Sequence, residues 1–189
     1  MGAPVNPSFV QQSFRFRNDN GSQTTATWAQ SANVNDERSP FIIFRCRFLI
    51  QQTVSTANTN LTRAYKLRYS LNGGTYTDVA AQNSSDTPIR YADSSNIADD
   101  ESTTQQLGTG TFVTGQVDEN GATGNINFTS GALSETEVEF VLELNSVSNG
   151  DTLDLGVYET NNTVLATYTT TARVTALVAG RARRIFVMG

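Results

Sequence analysis

Phe41-Ile42-Ile43-Phe44-Arg45-Cys46-Arg47-Phe48-Leu49-Ile50-Gln51 is the stretch on which the reading of the fold turns. Ile42, Phe44, Cys46, Phe48 and Ile50 recur at every second position, a period that a β-strand converts into one apolar face. The other face reads Ile43, Arg45, Arg47, Leu49 and Gln51. It is too apolar for open water, so it meets either a neighbouring subunit or the rest of the domain. Arg45 and Arg47 are therefore candidate interface residues. Cys46 is the only cysteine, so it has no partner for an internal disulfide. Flanked by Phe44 and Phe48 on the apolar face, it reads as a buried thiol.

Alternation continues on both sides. Upstream, Phe14 and Phe16 alternate with Arg15 and Arg17, and Asn18-Asp19-Asn20-Gly21 forms a turn before a Thr-rich run to Trp28. Residues 29–40 are polar and read as a loop. Downstream, Tyr65, Leu67, Tyr69 and Leu71 alternate with Lys66, Arg68 and Ser70. Asn72-Gly73-Gly74 then supplies the positive φ that a tight hairpin needs. Ile89-Arg90-Tyr91 predicts a short edge strand, and the acidic run 92–106 has room for one helical turn. Val138, Phe140, Leu142 and Leu144 alternate with Glu137, Glu139, Val141 and Glu143, which predicts a core face and a solvated acidic face. Further runs cover 152–158, 163–168 and 172–178. About nine or ten short strands with frequent turn signals predict an antiparallel β-sandwich, Ig-like or jelly-roll-like. The expected domain is 13–178, with an N-terminal arm at 1–12 and a C-terminal arm at 179–189.

Charge is sorted along the chain. Residues 1–68 carry eight basic and three acidic groups, residues 69–160 fifteen acidic groups and Arg90 alone, and the last 29 residues four arginines and no acid. The zones are +5, −14 and +4, which close on the net −5. Such sorting lets copies attract one another or a charged neighbour. Twelve of the thirteen basic residues are arginine, the choice where a planar fork pairs with carboxylates at an interface. The acidic pI of about 4.7 argues against free nucleic acid as the partner. No apolar run has the length of a membrane span, and the start lacks a signal-peptide layout, so synthesis in a cytosol without membrane attachment is expected.

Chemistry has little to work with. There is no histidine, which removes Ser–His and Cys–His pairs. Asp99-Asp100-Glu101 offers hard oxygen donors for calcium but no EF-hand spacing, so a solvated acidic loop is expected. The glycines at 73, 74, 108, 110 and 115 are not followed by the Lys-Ser/Thr and helix of a phosphate cradle. No cofactor is called for. Trp28, Tyr76, Tyr158 and Tyr168 are candidate aromatic platforms for sugar, with core or hairpin packing as the competing expectation. The end of the chain is basic and then apolar: Arg181, Arg183 and Arg184 precede Ile185, Phe186 and Val187. Three consecutive large apolar residues left in water invite aggregation, so this segment is expected to dock on a neighbour's sheet edge or groove. Glu137, Glu139 and Glu143 are the candidate receivers of its arginines.

The run Phe14–Gly21, leading through Thr24-Thr25-Ala26-Thr27-Trp28, resembles the opening of a family of tailed-bacteriophage virion structural proteins. Tyr69–Val79, Thr104–Phe112 and Glu135–Leu144 with Asn149-Gly150-Asp151 extend the resemblance over residues 13–170. These are strand and turn signatures rather than chemistry, and the segment beyond Gly180 departs from them. The resemblance implies a non-enzymatic virion protein made in the host cytoplasm. Capsid decoration or cement is the leading expectation, as a homo-oligomer contacting other virion proteins such as the major capsid protein. A tail tube, collar or adaptor component is the alternative within that class, and a carbohydrate- or cell-surface-binding module is the alternative outside it.

Overall fold

The computed structural model describes residues 8–53, 61–128 and 133–178, and these hold fourteen strands and no helix. In chain order they begin β1 (Phe9–Asn18), β2 (Asp36–Arg38), β3 (Ile43–Gln52), β4 (Leu61–Arg63), β5 (Tyr65–Leu71), β6 (Thr77–Asp78) and β7 (Ile89–Tyr91). They continue β8 (Phe112–Val113), β9 (Val117–Asp118), β10 (Ile126–Phe128), β11 (Glu135–Leu144), β12 (Thr152–Glu159), β13 (Thr167–Tyr168) and β14 (Ala172–Ala176). One sheet runs β13-β1-β3-β11, with β7, β8 and β9 sharing the free edge of β11. The second runs β2-β14-β12-β5-β6, and β10 with β4 forms a small third ladder. The fold is all-β and sandwich-like. Its long pairings are antiparallel, while β13 on β1, β8 and β9 on β11, and β2 on β14 are short parallel ones.

The predicted apolar faces make the core. Phe14, Phe16, Phe44, Cys46, Phe48, Ile50, Val138, Phe140 and Leu142 of the first sheet pack with Leu67, Leu153, Leu155, Val157 and Val174 of the second. Each such side chain contributes about 1.5–3 kcal/mol by leaving water. Cys46 lies in this core, and burial pushes its thiol well above the usual range, so it stays protonated. The hairpin forms as predicted: β5 pairs antiparallel with β6 across Asn72 and Gly73, at φ of 50° and 75°.

Several boundaries are corrected. β1 begins at Phe9, so residues 9–12 belong to the sheet and not to an arm. A register shift between Gln11 and Ser13 changes the phase of the strand, which hides the alternation of Phe9 from that of Phe14 and Phe16. At this corner buried Gln11 donates to the Thr170 carbonyl and accepts from the Val157 amide, tying the two sheets together. β2 lies inside the expected loop 29–40, made by pairing with the distant β14 rather than by local pattern. The run 92–106 contains no helical turn. Phe41 and Ile42 precede β3 instead of opening it, and both stand exposed, at 65% and 54%. Residues 1–7 and 179–189, which carry the rest of the expected arms, lie outside the described residues.

Candidate functional site

Three places concentrate side chains beyond the needs of the apolar core. The first is the second face of the β1–β3–β11 sheet. Register sets Arg15 opposite Arg47 and Arg47 opposite Glu139, with Arg17 opposite Arg45 in the next row. Glu139 is shared: Arg17 reaches it at 3.5 Å, Arg45 at 3.2 Å, and the Arg47 Nε donates to it as well. Arg47 also bonds Glu137 at 3.1 Å, and Arg45 pairs with Asp19 at 3.3 Å. All of these side chains but Asp19's are at most 1% exposed, and Asp19 is 7%. Desolvation lowers the Arg17 guanidinium to about 10 in spite of Glu139.

The roof over this charged layer comes from residues 19–26 and 92–119, which have little periodicity of their own. Glu137 Oε1 accepts three successive backbone amides, those of Gln106, Leu107 and Gly108, at 2.6–3.0 Å. Glu135 takes the Gly110 amide and the Gln105 side chain. Gln23 joins the two roof segments, accepting the Thr104 amide and donating to Glu101. Glycine is required where the roof touches the sheet. A Cβ on Gly108 would lie 2.0 Å from Glu135 Oε1, and one on Gly115 would lie 2.0 Å from the Glu137 carbonyl oxygen.

The solvated acidic face expected of Glu137 and Glu139 is thus corrected. The alternation was read properly, but the polar face lies under a lid of the same chain. Buried Glu137 and Glu139 are inaccessible as receivers for a neighbour's arginines, and Arg45 and Arg47 meet the rest of the domain. Glu143 lies at the margin, 14% exposed and paired with Arg90 at 2.7 Å. Among the described residues every basic side chain except Arg15 has a carboxylate partner within the chain. Arg15 donates to the Gln30 carbonyl and, with Arg17, lies over the Trp28 ring. Among the described residues the charges sorted along the sequence therefore meet inside the fold, and there the sorting alone is no sign of a charged partner; Arg181, Arg183 and Arg184 lie outside the described residues.

No known protein family, curated protein or solved structure matches this chain. Function has to be read from the molecule.

Asp99, Asp100 and Glu101 do not converge on a cation. Asp99 accepts from the Glu119 amide and the Asn120 side chain, and Glu101 from Gln23 and the Ala98 amide. No group of three or more metal-ligating side chains forms among the described residues. Two acids of this region lie out of the ordinary range. Burial raises Asp118 to about 6 and Glu119 to about 7, against the backbone amides that each accepts.

The second place is one end of the sandwich. The Phe41 amide donates to the Leu144 carbonyl and the Leu177 amide to the Arg38 carbonyl, while the Val178 amide is held by Asn149. Phe41, Ile42 and Leu177, each more than half exposed, therefore share the end at which the chain runs on toward residue 179. Phe41 also has φ +64°, a left-handed conformation that bulky residues rarely adopt. Sequence alternation placed Ile42 in the core and gave no hint of this exposure.

The third place brings together three of the four aromatics singled out in the sequence. Tyr158 of β12 lies 5.8 Å from Tyr76 and 6.0 Å from Tyr168, centroid to centroid, on the outer face of the second sheet. Trp28 is elsewhere, under its arginines.

Proposed function

We propose that this chain is a non-enzymatic structural protein of a tailed-phage virion, a decoration or cement protein that stabilises the capsid shell by contacts between subunits. The observation that carries this reading is the exposed end formed by Phe41, Ile42 and Leu177. Monomeric proteins seldom leave large apolar side chains grouped in water, and such groups mark contact surfaces. Here the group lies where the chain enters its basic and apolar last segment. The occupant we assign to it is Ile185, Phe186 and Val187 of a second copy, so that each subunit holds the next. Hydrophobic burial supplies the affinity, because the acids once expected to receive the arginines are consumed internally. Sequence resemblance over residues 13–170 supports the virion context, and the absence of histidine supports a non-catalytic role.

Every core residue identified among the described residues lies between Phe9 and Ala176, so a chain ending at Gly180 keeps all of them and is expected to fold. Light scattering of the full chain, alone and mixed with empty phage shells, tests the reading. The full chain should form a small closed oligomer that co-sediments with shells. The truncated chain and Phe41→Ser/Ile42→Ser should keep their melting temperature and lose association. Rings or tubes formed without shells would point to a tail component instead, and a monomer indifferent to shells would overturn the proposal.

A further inference from the structure

The tyrosine group on the outer face of the second sheet is only partly accounted for by the core, against which Tyr168 packs. Tyr76, Tyr158, Tyr168 and Thr171 line a hollow of about 180 Å3. The three rings sit over Gly156, a strand residue with no side chain. A Cβ there would touch a ring carbon of each tyrosine at 3.4 Å, so the three rings converge above one point of bare backbone. Ion pairs flank Gly156 on this face of the sheet. Arg173 grips Asp154 through two bonds of 2.6 and 3.0 Å, and Arg68 holds Asp78 while donating to the Tyr76 carbonyl. Tyr168 is fixed by donating to the Val157 carbonyl, whereas the Tyr76 hydroxyl makes no hydrogen bond among the described residues. Burial raises both hydroxyls above the usual range, with Asp154 adding to the effect at Tyr76, so both remain protonated.

We propose that this hollow binds a pyranose ring of an uncharged oligosaccharide. A pyranose offers an apolar C–H face to stack on a tyrosine and a rim of hydroxyls for polar groups at the border. That is the mixture of aromatic lining and few polar groups typical of small-ligand sites. The geometry separates this ligand from two others. Adjacent rings incline by 41° and 45°, which opens a trough for the C–H face of a pyranose chair rather than a box for a spherical ammonium. The Arg68 guanidinium already lies 4.8 Å over Tyr158, so a ligand cation would meet both an occupied ring and a like charge. A polyproline helix, the other ligand that favours aromatic troughs, leaves most of the bordering hydrogen-bonding groups unused. Tyr76 and Tyr168 stack on the sugar. Asp154, Arg173, Thr171 and the Tyr76 hydroxyl exchange hydrogen bonds with its rim.

The test uses the full chain and four probes: maltotriose, cellotriose, tri-N-acetylchitotriose and β-1,4-galactotriose. Binding is read by saturation-transfer NMR and titration calorimetry. At least one should bind with a Kd below about 10 mM. Tyr76→Ala should weaken it about tenfold or more, while Tyr76→Phe and Trp28→Ala keep the affinity within about threefold. Melting curves of each variant establish that the fold is intact, and since Tyr76 is half-buried and outside the core, it should be. No transfer to any of the four probes, or affinity unchanged in Tyr76→Ala, overturns the proposal. So does preferential binding of an octaproline peptide or of tetramethylammonium. The proposal does not rest on the virion reading: loss of sugar binding in Tyr76→Ala should leave shell binding as it was.

Discussion

Replacing Glu139 by glutamine puts the charged layer to its hardest test. The substitution keeps the shape and one carbonyl acceptor, but removes the charge shared by Arg17, Arg45 and Arg47. None of those guanidiniums is more than 1% exposed, so water cannot take the place of the lost charge. Removing one partner of a buried ion pair costs about 3–5 kcal/mol, because the charge left behind stays desolvated. An exposed pair is worth about 1 kcal/mol or less. For a chain of this size each kcal/mol shifts Tm by about 2–4 °C, so Glu139→Gln should melt about 6–20 °C lower. Glu143→Gln is the control, since its pair with Arg90 lies at the margin of the sheet with both side chains partly exposed. It should cost about 1 kcal/mol or less. Circular dichroism with heat and with urea gives both numbers, and an unchanged urea slope confirms that the comparison is between like states. A Glu139→Gln variant within about 1 kcal/mol of the natural chain would refute the argument. It would mean that the acidic face of β11 is wet, as its alternation alone implies.

Two further predictions concern the roof. Gly108→Ala would place a methyl 2.0 Å from Glu135 Oε1 and 2.9 Å from Leu49 Cδ1, forcing Glu135 off the Gly110 amide. A loss of about 2 kcal/mol is expected in urea unfolding, against about 1 for Gly73→Ala, where only the positive φ resists the change; equal losses would contradict the close contact. Asp118 and Glu119, raised by burial to about 6 and about 7, bind protons more tightly in the folded chain than in the unfolded one. Their contribution to stability is therefore complete below the ordinary carboxylate range and is lost as pH rises through 6 to 7. Between pH 8 and pH 5 Tm should rise, each group contributing on the order of 2 kcal/mol, and Asp118→Asn should flatten part of the slope. A Tm that falls on acidification across that window would count against it.

What the sequence made legible is what period two can express. Phe44, Cys46, Phe48 and Ile50 announced their core face, Val138 to Leu144 did the same, and Asn72-Gly73 announced its hairpin. Period two assigns residues to faces but does not say what covers a face. Glu137 and Glu139 read as solvent-facing because the segment that covers them, 103–110, has no pattern that betrays a lid. The glycines at 108, 110 and 115 were the available signal, since glycine without a turn or a phosphate motif often marks a close backbone approach. β2 was illegible for another reason: Asp36-Glu37-Arg38 forms a strand only because β14 lies beside it. At β1 one shifted residue was enough to hide the first four positions of the strand. Of the candidate aromatics, Tyr76, Tyr158 and Tyr168 were singled out one by one, and only register and a bend of chain from another sheet bring Tyr168 to Tyr158.

The shared carboxylate also sets an order of events. Arg45 and Arg47 leave the ribosome some ninety residues ahead of Glu137 and Glu139, the anions that neutralise them. Until those arrive, Asp19 is the one carboxylate of this layer already made, and the β1–β3 pair carries more arginines on this face than it can neutralise. The sheet becomes whole, and its charged face balanced, only when its third long strand is delivered.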